Sequence, residues 1–379
     1  IYIIKAILCY NQVEGRYYMK NIDDLKLIVL DNCKEFGQKV DKHLQKIRKN
    51  KNSYIVPVKL TRFNNGEAKA CITKSIRGKD VYIISDIGNY SCTYKMFDFL
   101  NHMSPDDHYQ DIKRIILSTM GHAKSVNVVM PLLYEARQHR RKGRESLDCA
   151  LALQELERLG IKGIITFDVH DPNIQNAIPN LPCDNFFTTN DTLKDFLNNE
   201  VIETENLLVI SPDMGAMERA RYLAEILKVD VGMFYKRRDL SKIIDGKNPV
   251  VAHEYLGKNV KDKDIIIVDD MIASGGSMID VARELKQKKA KKIYCFATYA
   301  LFTQGYEIFD DAYAKGWIDK IYTSNLSYIP ENIKNKEWLH IVDCSLYAAH
   351  IIDTLNKDES ITDLIEYNSA RYNFYENDK

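Results

Sequence analysis

The segment from Asp264 to Ser277, DIIIVDDMIASGGS, constrains the fold more than any other part of the chain. Its β-branched run predicts a parallel strand covered on both faces, with the carboxylates of Asp269 and Asp270 at its end. The apolar spacing from Met278 to Leu285 predicts a helix directly afterwards. The loop between strand and helix consists of Ser274, Gly275, Gly276 and Ser277. Its backbone amides can close around a phosphate, so the segment predicts a sugar-phosphate site in which the carboxylates bind ribose hydroxyls.

An ordinary strand-to-helix turn is the simpler alternative, because Gly and Ser are common in turns. Two adjacent aspartates at the end of an apolar strand are costly unless they bind a ligand, and this favours the site. The loop is not a Walker loop, because no Lys precedes its final hydroxyl.

Composition excludes several classes of protein. The 379 residues, 45% of them hydrophobic, suffice for two domain cores. Lys and Arg total 53, as do Asp and Glu, so no net field favours nucleic acid or a membrane surface. None of the eight cysteines forms a two-residue-spaced pair, which disfavours a zinc cluster and favours reduced thiols. The apolar opening, Ile1 to Tyr10, is too short to span a bilayer and does not resemble a signal peptide. We therefore expect a cytoplasmic protein.

Strand and helix patterns alternate along the chain, which predicts an α/β fold with parallel sheets and ligands beyond the strands' carboxyl ends. Two segments, RGKDVYIISD (Arg77–Asp86) and KDKDIIIVDD (Lys261–Asp270), share a polar start, an apolar run and an acidic end. They indicate a duplicated α/β unit, with chance similarity as the alternative. Met103 to Asp107 is predicted to be a surface loop. The predicted divisions are an N-terminal extension (1–50), two domains (51–190 and 191–346) and a helical tail (347–379).

Other polar clusters also follow predicted strands. His170 and Asp168 leave the strand Ile164 to Phe167, and Asp213 leaves the strand Leu207 to Ile210. Carboxylates, waters and phosphate oxygens suit Mg²⁺, and an imidazole can join them or hydrogen-bond a bound water. A structural histidine and a simple helix cap are the alternatives for His170 and Asp213.

Two basic clusters complete the set. The run from Arg137 to Arg144 could be a solvated face or a nucleic-acid contact. Because it is confined to one loop with few aromatic residues, a polyphosphate partner fits it better. Lys236-Arg237-Arg238 follows the predicted strand Val231 to Tyr235. A mobile loop there would place positive charge on a transferring phosphoryl group.

Together these motifs resemble the ribose-phosphate diphosphokinase family. The likeness runs in order from about Arg62 to Pro330 through RFNNGE (Arg62–Glu67), SIRGKDVYII (Ser75–Ile84), ARQHRRKGRES (Ala136–Ser146), TFDVH (Thr166–His170), SPDMGA (Ser211–Ala216), KRR (Lys236–Arg238) and VDDMIASGGS (Val268–Ser277). It implies two tandem phosphoribosyltransferase-like domains of type I, with parallel sheets flanked by helices, in a homodimer that assembles into a hexamer. It also implies transfer of the diphosphoryl group of Mg-ATP to O1 of ribose 5-phosphate, which gives 5-phosphoribosyl 1-diphosphate and AMP for nucleotide biosynthesis.

The resemblance implies a role for each matching residue. The implied groups are Phe63, Asn65, Glu67, Arg137 and Gln138 for ATP; His170 and Asp213 for Mg²⁺; Lys236, Arg238 and His170 for catalysis; and Asp269, Asp270, Ser274, Gly275, Gly276 and Ser277 for ribose 5-phosphate. The first three of these would reach ATP across a dimer interface.

Four residues depart from the family pattern. Asn65, His139 and Ala273 stand where the family usually has Asp, and Ala216 stands where it has Gly. Ala273 lacks a carboxylate that ordinarily accepts hydrogen bonds from the ribose. Two other hypotheses therefore stay open. One is a catalytically silent homologue that acts as a regulatory partner, and the other is a phosphoribosyltransferase, which would leave the Arg137 loop and the tandem domain unexplained.

Overall fold

The computed structural model describes residues 24–141, 143–238 and 250–365. Its strands are β1 (Leu25–Val29), β2 (Val58–Arg62), β3 (Ala68–Ile72), β4 (Asp80–Ile84), β5 (Thr93–Met96), β6 (Phe99–His102), β7 (Ser125–Val129), β8 (Gly163–Phe167), β9 (Cys183–Phe186), β10 (Leu207–Ser211), β11 (Asp230–Arg238), β12 (Val250–Leu256), β13 (Asp264–Ile272), β14 (Ile293–Ala300), β15 (Lys320–Ser324) and β16 (Leu339–Val342). Its helices are α1 (Lys34–Ile47), α2 (Pro105–Ser118), α3 (Asp148–Arg158), α4 (Thr189–Asn199), α5 (Met217–Leu227), α6 (Gly276–Gln287), α7 (Glu307–Ala314), α8 (Ser345–Asn356) and α9 (Thr362–Ile365).

Two sheets with the same strand order form the framework. The first runs β1-β4-β7-β8-β9, and every neighbouring pair in it is parallel. The second contains the matching parallel row β10-β13-β14-β15-β16, extended at one edge by β11 and its antiparallel partner β12. The two segments with the shared sequence pattern form β4 and β13, the second strand of each row. The predicted α/β fold with a duplicated unit is confirmed.

Two hairpins project from the first domain. The turn from Phe63 to Glu67 joins β2 to β3, and Arg62 fixes this hairpin to α2 through an ion pair of 2.7 Å with Asp111.

The predicted loop from Met103 to Asp107 is wrong, because α2 begins at Pro105. Ser104 forms a capping box with Asp107, in which each side chain accepts a hydrogen bond from the other residue's backbone amide.

The first domain includes part of the predicted extension. Leu25–Val29 pairs in parallel with β4, and Leu25, Leu27 and Ile28 are completely buried. Residues 24–50 therefore belong to the first domain, and the predicted division at residue 50 is wrong. Residues 1–23 lie outside the described residues.

The predicted tail also begins inside the fold. Helix α8, Ser345–Asn356, crosses the predicted boundary at residue 347 and packs against α1. The Arg48 side chain is 2% exposed, and its Nε lies 2.5 Å from the Asp353 carboxylate. Its Nη2 donates to Asn356 at 2.7 Å. The helical prediction is correct for α8, and residues 366–379 lie outside the described residues.

The Arg48–Asp353 pair gives a stability prediction. We expect Arg48→Met to lower the free energy of unfolding by about 3 kcal/mol, because it leaves a buried carboxylate without its main partner. Lys357 also pairs with Asp353, but its side chain is 39% exposed, so Lys357→Met should cost under about 1 kcal/mol. Urea denaturation of both variants measures the difference. Equal losses would show that the buried pair does not fasten α1 to α8.

The cores of the two domains are continuous on one side. One hydrophobic cluster contains Phe167 and Phe186 of the first sheet together with Val268 and Phe296 of the second. The Tyr299 hydroxyl of β14 lies 2.7 Å and 2.8 Å from the carbonyl oxygens of Pro131 and Phe167, both at strand ends of the first domain. The carboxyl ends of β8 and β14 consequently lie against each other. Within the described ranges, no helix is long and apolar enough to cross a membrane.

Candidate active site

The acidic pair and its loop lie at the end of β13 as the sequence indicates, although the strand continues through the pair to Ile272. Helix α6 begins at Gly276, one residue after Gly275, which has a φ of +81°. A Cβ atom on Gly275 would lie 2.0 Å from Cζ of the buried Phe309. Only glycine fits this backbone and this close approach. The predicted anion-binding turn is thus held in one conformation by the core beneath it.

The two carboxylates differ in pKa. Burial raises the pKa of Asp269 well above its usual value, and the nearby charges of Asp270 and Asp213 add to the effect. Burial also opposes the charge of Asp270, but a hydrogen bond from His170 and the charge of Arg219 hold its pKa below the usual value. Asp270 therefore gives up its proton more readily than Asp269.

His170 links the two domains at this point. Strand β8 ends at Phe167, and the loop that follows carries the His170 imidazole to the second sheet. Its Nδ1 lies 2.6 Å from Oδ2 of Asp270. The ring remains 37% exposed, whereas the Asp270 side chain is 4% exposed. The structure thus brings together residues that are 100 positions apart in the sequence.

The loop that carries the first basic cluster contacts His170 through His139. The His139 and His170 ring centroids are 5.3 Å apart, and Nε2 of His139 lies 3.2 Å from the Asp171 carboxylate. Arg137 and Gln138, which precede His139, are exposed. The loop after β7 therefore lies beside the loop after β8, and its Arg137, Arg140 and Arg141 are exposed.

Asp213 lies in the turn between β10 and α5. Its Oδ1 accepts hydrogen bonds from the amides of Gly215 at 2.8 Å and Ala216 at 3.3 Å. The side chain therefore closes the turn before α5. It is not the helix cap of the simpler alternative, because the N-cap of α5 is Ala216, with no side-chain cap hydrogen bond. The charge of Asp213 also raises the pKa of Asp269, so the carboxylate acts on the same cluster.

The predicted adenine-side residues lie on the β2–β3 hairpin. Phe63 is 43% exposed at the tip of its hairpin, and Asn65 donates to Glu67 at 2.9 Å. Among the described residues, no hydrogen bond joins this turn to His170 or the acidic pair. Lys236 and Arg238 lie within β11 rather than in a loop after it, because the strand extends to Arg238. The following residues, 239–249, lie outside the described residues.

Sequence analysis missed Arg219, a largely buried cation beside the site. Its Nε donates to Asp168 at 2.7 Å and its Nη2 to the Val169 carbonyl at 2.9 Å. A signal was present, because Arg219 stands on the apolar stripe of α5 between Ala216 and Leu223. A charged residue on such a stripe needs a buried partner.

A cavity of about 310 Å³ lies between the domains beside these residues. Asp168, His170 and Asp269 line one part of it, and Phe187 and Phe296 line another. The cluster therefore borders a space that a ligand can enter from solvent.

Comparison with known proteins gives the family. Residues 25–160 match the model of the N-terminal domain of ribose phosphate pyrophosphokinase, and residues 184–328 match the phosphoribosyl transferase domain. The chain belongs to the ribose-phosphate pyrophosphokinase family. This name and ribose-phosphate diphosphokinase denote the same activity, so the resemblance stated from the motifs is confirmed.

Individual members of the family match over most of their length. The ribose-phosphate pyrophosphokinase of Mycoplasma genitalium is 32% identical over 294 residues, or 76% of this chain and 81% of that protein. The one from Mycoplasmopsis pulmonis is 29% identical over 310 residues, or 81% of this chain and 88% of that protein. The crystal structure of phosphoribosylpyrophosphate synthetase from Mycobacterium smegmatis superposes with a TM-score of 0.73, covering 88% of this chain and 99% of that one. At 21% identity it shows the same fold. The tandem architecture is therefore that of the family.

Proposed function

We propose that this chain transfers the β,γ-diphosphoryl group of Mg-ATP to O1 of ribose 5-phosphate, releasing AMP. The observation that supports this most is the 2.6 Å contact between His170 and Asp270. It joins the domain that carries the ATP motifs to the domain that carries the sugar-phosphate motif. Neither a silent binding protein nor a single-domain phosphoribosyltransferase requires both sets of groups to meet.

The proposed binding site for ribose 5-phosphate is the loop around Gly275. In the proposed complex, Asp269 and Asp270 accept or share hydrogen bonds with the ribose hydroxyls. The backbone amides from Ser274 to Ser277, at the N-terminus of α6, bind the 5-phosphate. Ala273 is half-buried at the start of the loop and adds no carboxylate.

Magnesium fits the polar groups near His170. Because Nδ1 of His170 is bonded to Asp270, its Nε2 is the nitrogen that could coordinate a metal or its water, in the usual arrangement of a metal-bound histidine. Among the described residues, no three His, Cys, Asp or Glu side chains form a metal cage. Mg²⁺ does not need one, since it keeps waters and phosphate oxygens and takes one or two carboxylates, here Asp213. When bound, it would neutralise charge on the phosphate oxygens.

Lys236 and Arg238 would supply the remaining positive charge. In-line transfer makes the O1–P bond as the bond from phosphorus to the AMP oxygen breaks, and negative charge spreads over the transferring group. The proposed role of the two cations is to stabilise that charge. Their place at the end of β11, next in the sheet to the strand that leads to Asp213, is compatible with this role.

A second copy of the chain would complete the ATP-binding site. Phe63, Asn65 and Glu67 stand on an exposed hairpin, and Arg137 and Gln138 on an exposed loop. Contact between them across a homodimer, which assembles further into a hexamer, would build the adenine site. We expect the isolated monomer to be inactive, because each site would then lack the hairpin. Full activity at a concentration where light scattering shows only monomer would refute this arrangement.

We also propose that the reaction takes place in the cytoplasm. The seven cysteines of the described residues are all free thiols. Thiols that stay reduced are typical of a reducing compartment.

AMP formation from Mg-ATP, measured with and without ribose 5-phosphate, tests the proposal. We expect AMP only when the sugar phosphate is present, in an equal amount to 5-phosphoribosyl 1-diphosphate. A silent homologue would give no AMP in either reaction. A phosphoribosyltransferase would consume 5-phosphoribosyl 1-diphosphate in the presence of a nucleobase instead.

Ala273 gives a prediction about the sugar. If Asp269 and Asp270 bind the ribose hydroxyls without help, Ala273→Asp should tighten ribose 5-phosphate by up to about tenfold, or roughly 1.4 kcal/mol. The affinity for ATP should hardly change. Michaelis constants for both substrates measure this. An equal or higher constant for ribose 5-phosphate in the variant would show that the loop is not a weakened copy of the family site.

A further inference from the structure

Arg219 of α5 is a second-domain residue that holds a first-domain loop. Its side chain is 15% exposed, and its guanidinium makes two contacts with that loop. Nε donates to Oδ1 of Asp168 at 2.7 Å, and Nη2 donates to the Val169 carbonyl at 2.9 Å. The planar fork of an arginine can serve two neighbouring acceptors at once, which the point charge of a lysine cannot do.

The loop needs such support because its first residue is strained. Asp168 has a φ of +40°, a left-handed conformation that costs a non-glycine residue about 1–2 kcal/mol. Its other oxygen, Oδ2, accepts a hydrogen bond of 2.7 Å from Thr298 of β14. Both carboxylate oxygens and the next carbonyl are thus fixed by the second domain.

His170 follows directly after these anchored residues. Its Nδ1 lies 2.6 Å from Asp270, on β13 of the same second domain. The loop is therefore held by α5 and β14 on one side and meets β13 on the other. If Arg219 were lost, the turn would keep the hydrogen bond from Thr298 and its backbone contacts with β9. Oδ1 of Asp168 and the Val169 carbonyl would lose their link to α5.

We infer that Arg219 is a positioning residue that sets the place of the His170 imidazole against Asp270, and so the relative placement of the ATP-side and sugar-side groups. This inference rests on the proposed function only for its kinetic consequence. The geometric part concerns the His170–Asp270 contact and holds with or without substrate.

The test uses Arg219→Met and Arg219→Lys, with Arg221→Met as the matched control on the same helix. The Arg221 side chain is 64% exposed and pairs only with Glu225, at 3.5 Å, among the described residues. The first readout is the ¹⁵N and ¹H signal of the hydrogen-bonded Nδ1–H of His170, assigned by comparison with His170→Gln. We expect the signal to shift or disappear in both Arg219 variants and to stay unchanged in Arg221→Met.

The second readout is steady-state kinetics. We expect kcat to fall at least about tenfold in Arg219→Met, because displacing a reacting group by a fraction of an ångström to 1 Å has effects of this order or larger. The Michaelis constant for ribose 5-phosphate should change less than kcat, because Arg219 hydrogen-bonds Asp168 and Val169 and forms no hydrogen bond or ion pair with the loop from Ser274 to Ser277. Arg219→Lys keeps the charge and should remain impaired, which separates geometry from charge.

The double variant Asp168→Asn/Arg219→Met is the control for loss of folding. Removing both charges avoids a lone buried carboxylate, so this double variant should melt close to the wild type. Its His170 signal should nevertheless remain perturbed. An unperturbed His170 signal in well-folded Arg219→Met, or equal effects in Arg219→Met and Arg221→Met, would overturn the inference. If the wild type forms no AMP, the proposed function fails while the signal still decides the role of Arg219.

Discussion

Turnover should fall at least about 100-fold when either Lys236 or Arg238 is replaced by Ala, the scale for losing one transition-state charge contact. Transfer of a diphosphoryl group depends on positioning and charge stabilisation more than on covalent chemistry, so few groups can compensate for a missing cation. The Michaelis constant for ATP should change much less, because the ground-state phosphates keep Mg²⁺ and the loop around Arg137. Initial rates of AMP formation at saturating substrates measure the effect.

A lysine at the opposite end of the same strand serves as the control. Lys258 pairs with Asp230, at the start of the same strand β11, and its side chain is 70% exposed. Lys258→Ala should leave turnover within about twofold, because a surface ion pair contributes little. Unchanged turnover in both Lys236→Ala and Arg238→Ala would remove the end of β11 from the mechanism.

Local pattern predicted most of the elements around the site. The β-branched run before Asp269 formed β13, and the apolar spacing from Met278 to Leu285 formed α6. Buried parallel strands and amphipathic helices are encoded over short windows, so each can be identified without knowledge of its neighbours. The internal echo predicted the duplication, and its two segments form the second strand of each of the two matching parallel rows.

The ends of the first domain could not be predicted in the same way. Leu25–Val29 is only five residues long, and α1 packs on α8 through a pair whose members are 305 residues apart. No local periodicity encodes such a contact. The start of α2 is a different case. Ser104 and Asp107 have the spacing of a capping box, so this signal was present in the sequence and was missed.

The active site also combines features that local sequence encodes with contacts that it does not encode. The family resemblance implied one active site that contains His170 and the acidic pair, and His170 lies in hydrogen-bond contact with Asp270. The supporting residues Arg219, Thr298 and Tyr299 carry no motif, because their partners are strand ends of the other domain. Their role depends on how the two sheets pack, which sequence spacing does not specify.

Gly275→Ala should lower kcat/KM for ribose 5-phosphate at least about 100-fold. The new methyl group would lie 2.0 Å from Cζ of Phe309, and the residue would be forced to keep a φ of +81°. Overpacking costs about 1–3 kcal/mol and a left-handed alanine about 1–2 kcal/mol, together enough for a 100-fold loss if the loop deforms. Because Phe309 is fully buried among core residues, the loop should move rather than the ring.

Gly160→Ala separates backbone strain from collision with Phe309. Gly160 has a φ of +79°, but a Cβ there would meet no atom within 4 Å. Its variant should melt a few degrees lower, because of the left-handed alanine alone, and keep its affinity for ribose 5-phosphate. The dissociation constant of ribose 5-phosphate, measured by calorimetry without ATP, should rise only in Gly275→Ala. A folded Gly275→Ala protein with normal affinity would mean that the amides between β13 and α6 do not bind the sugar phosphate, and the 5-phosphate would then have to be sought elsewhere in the gap between the domains.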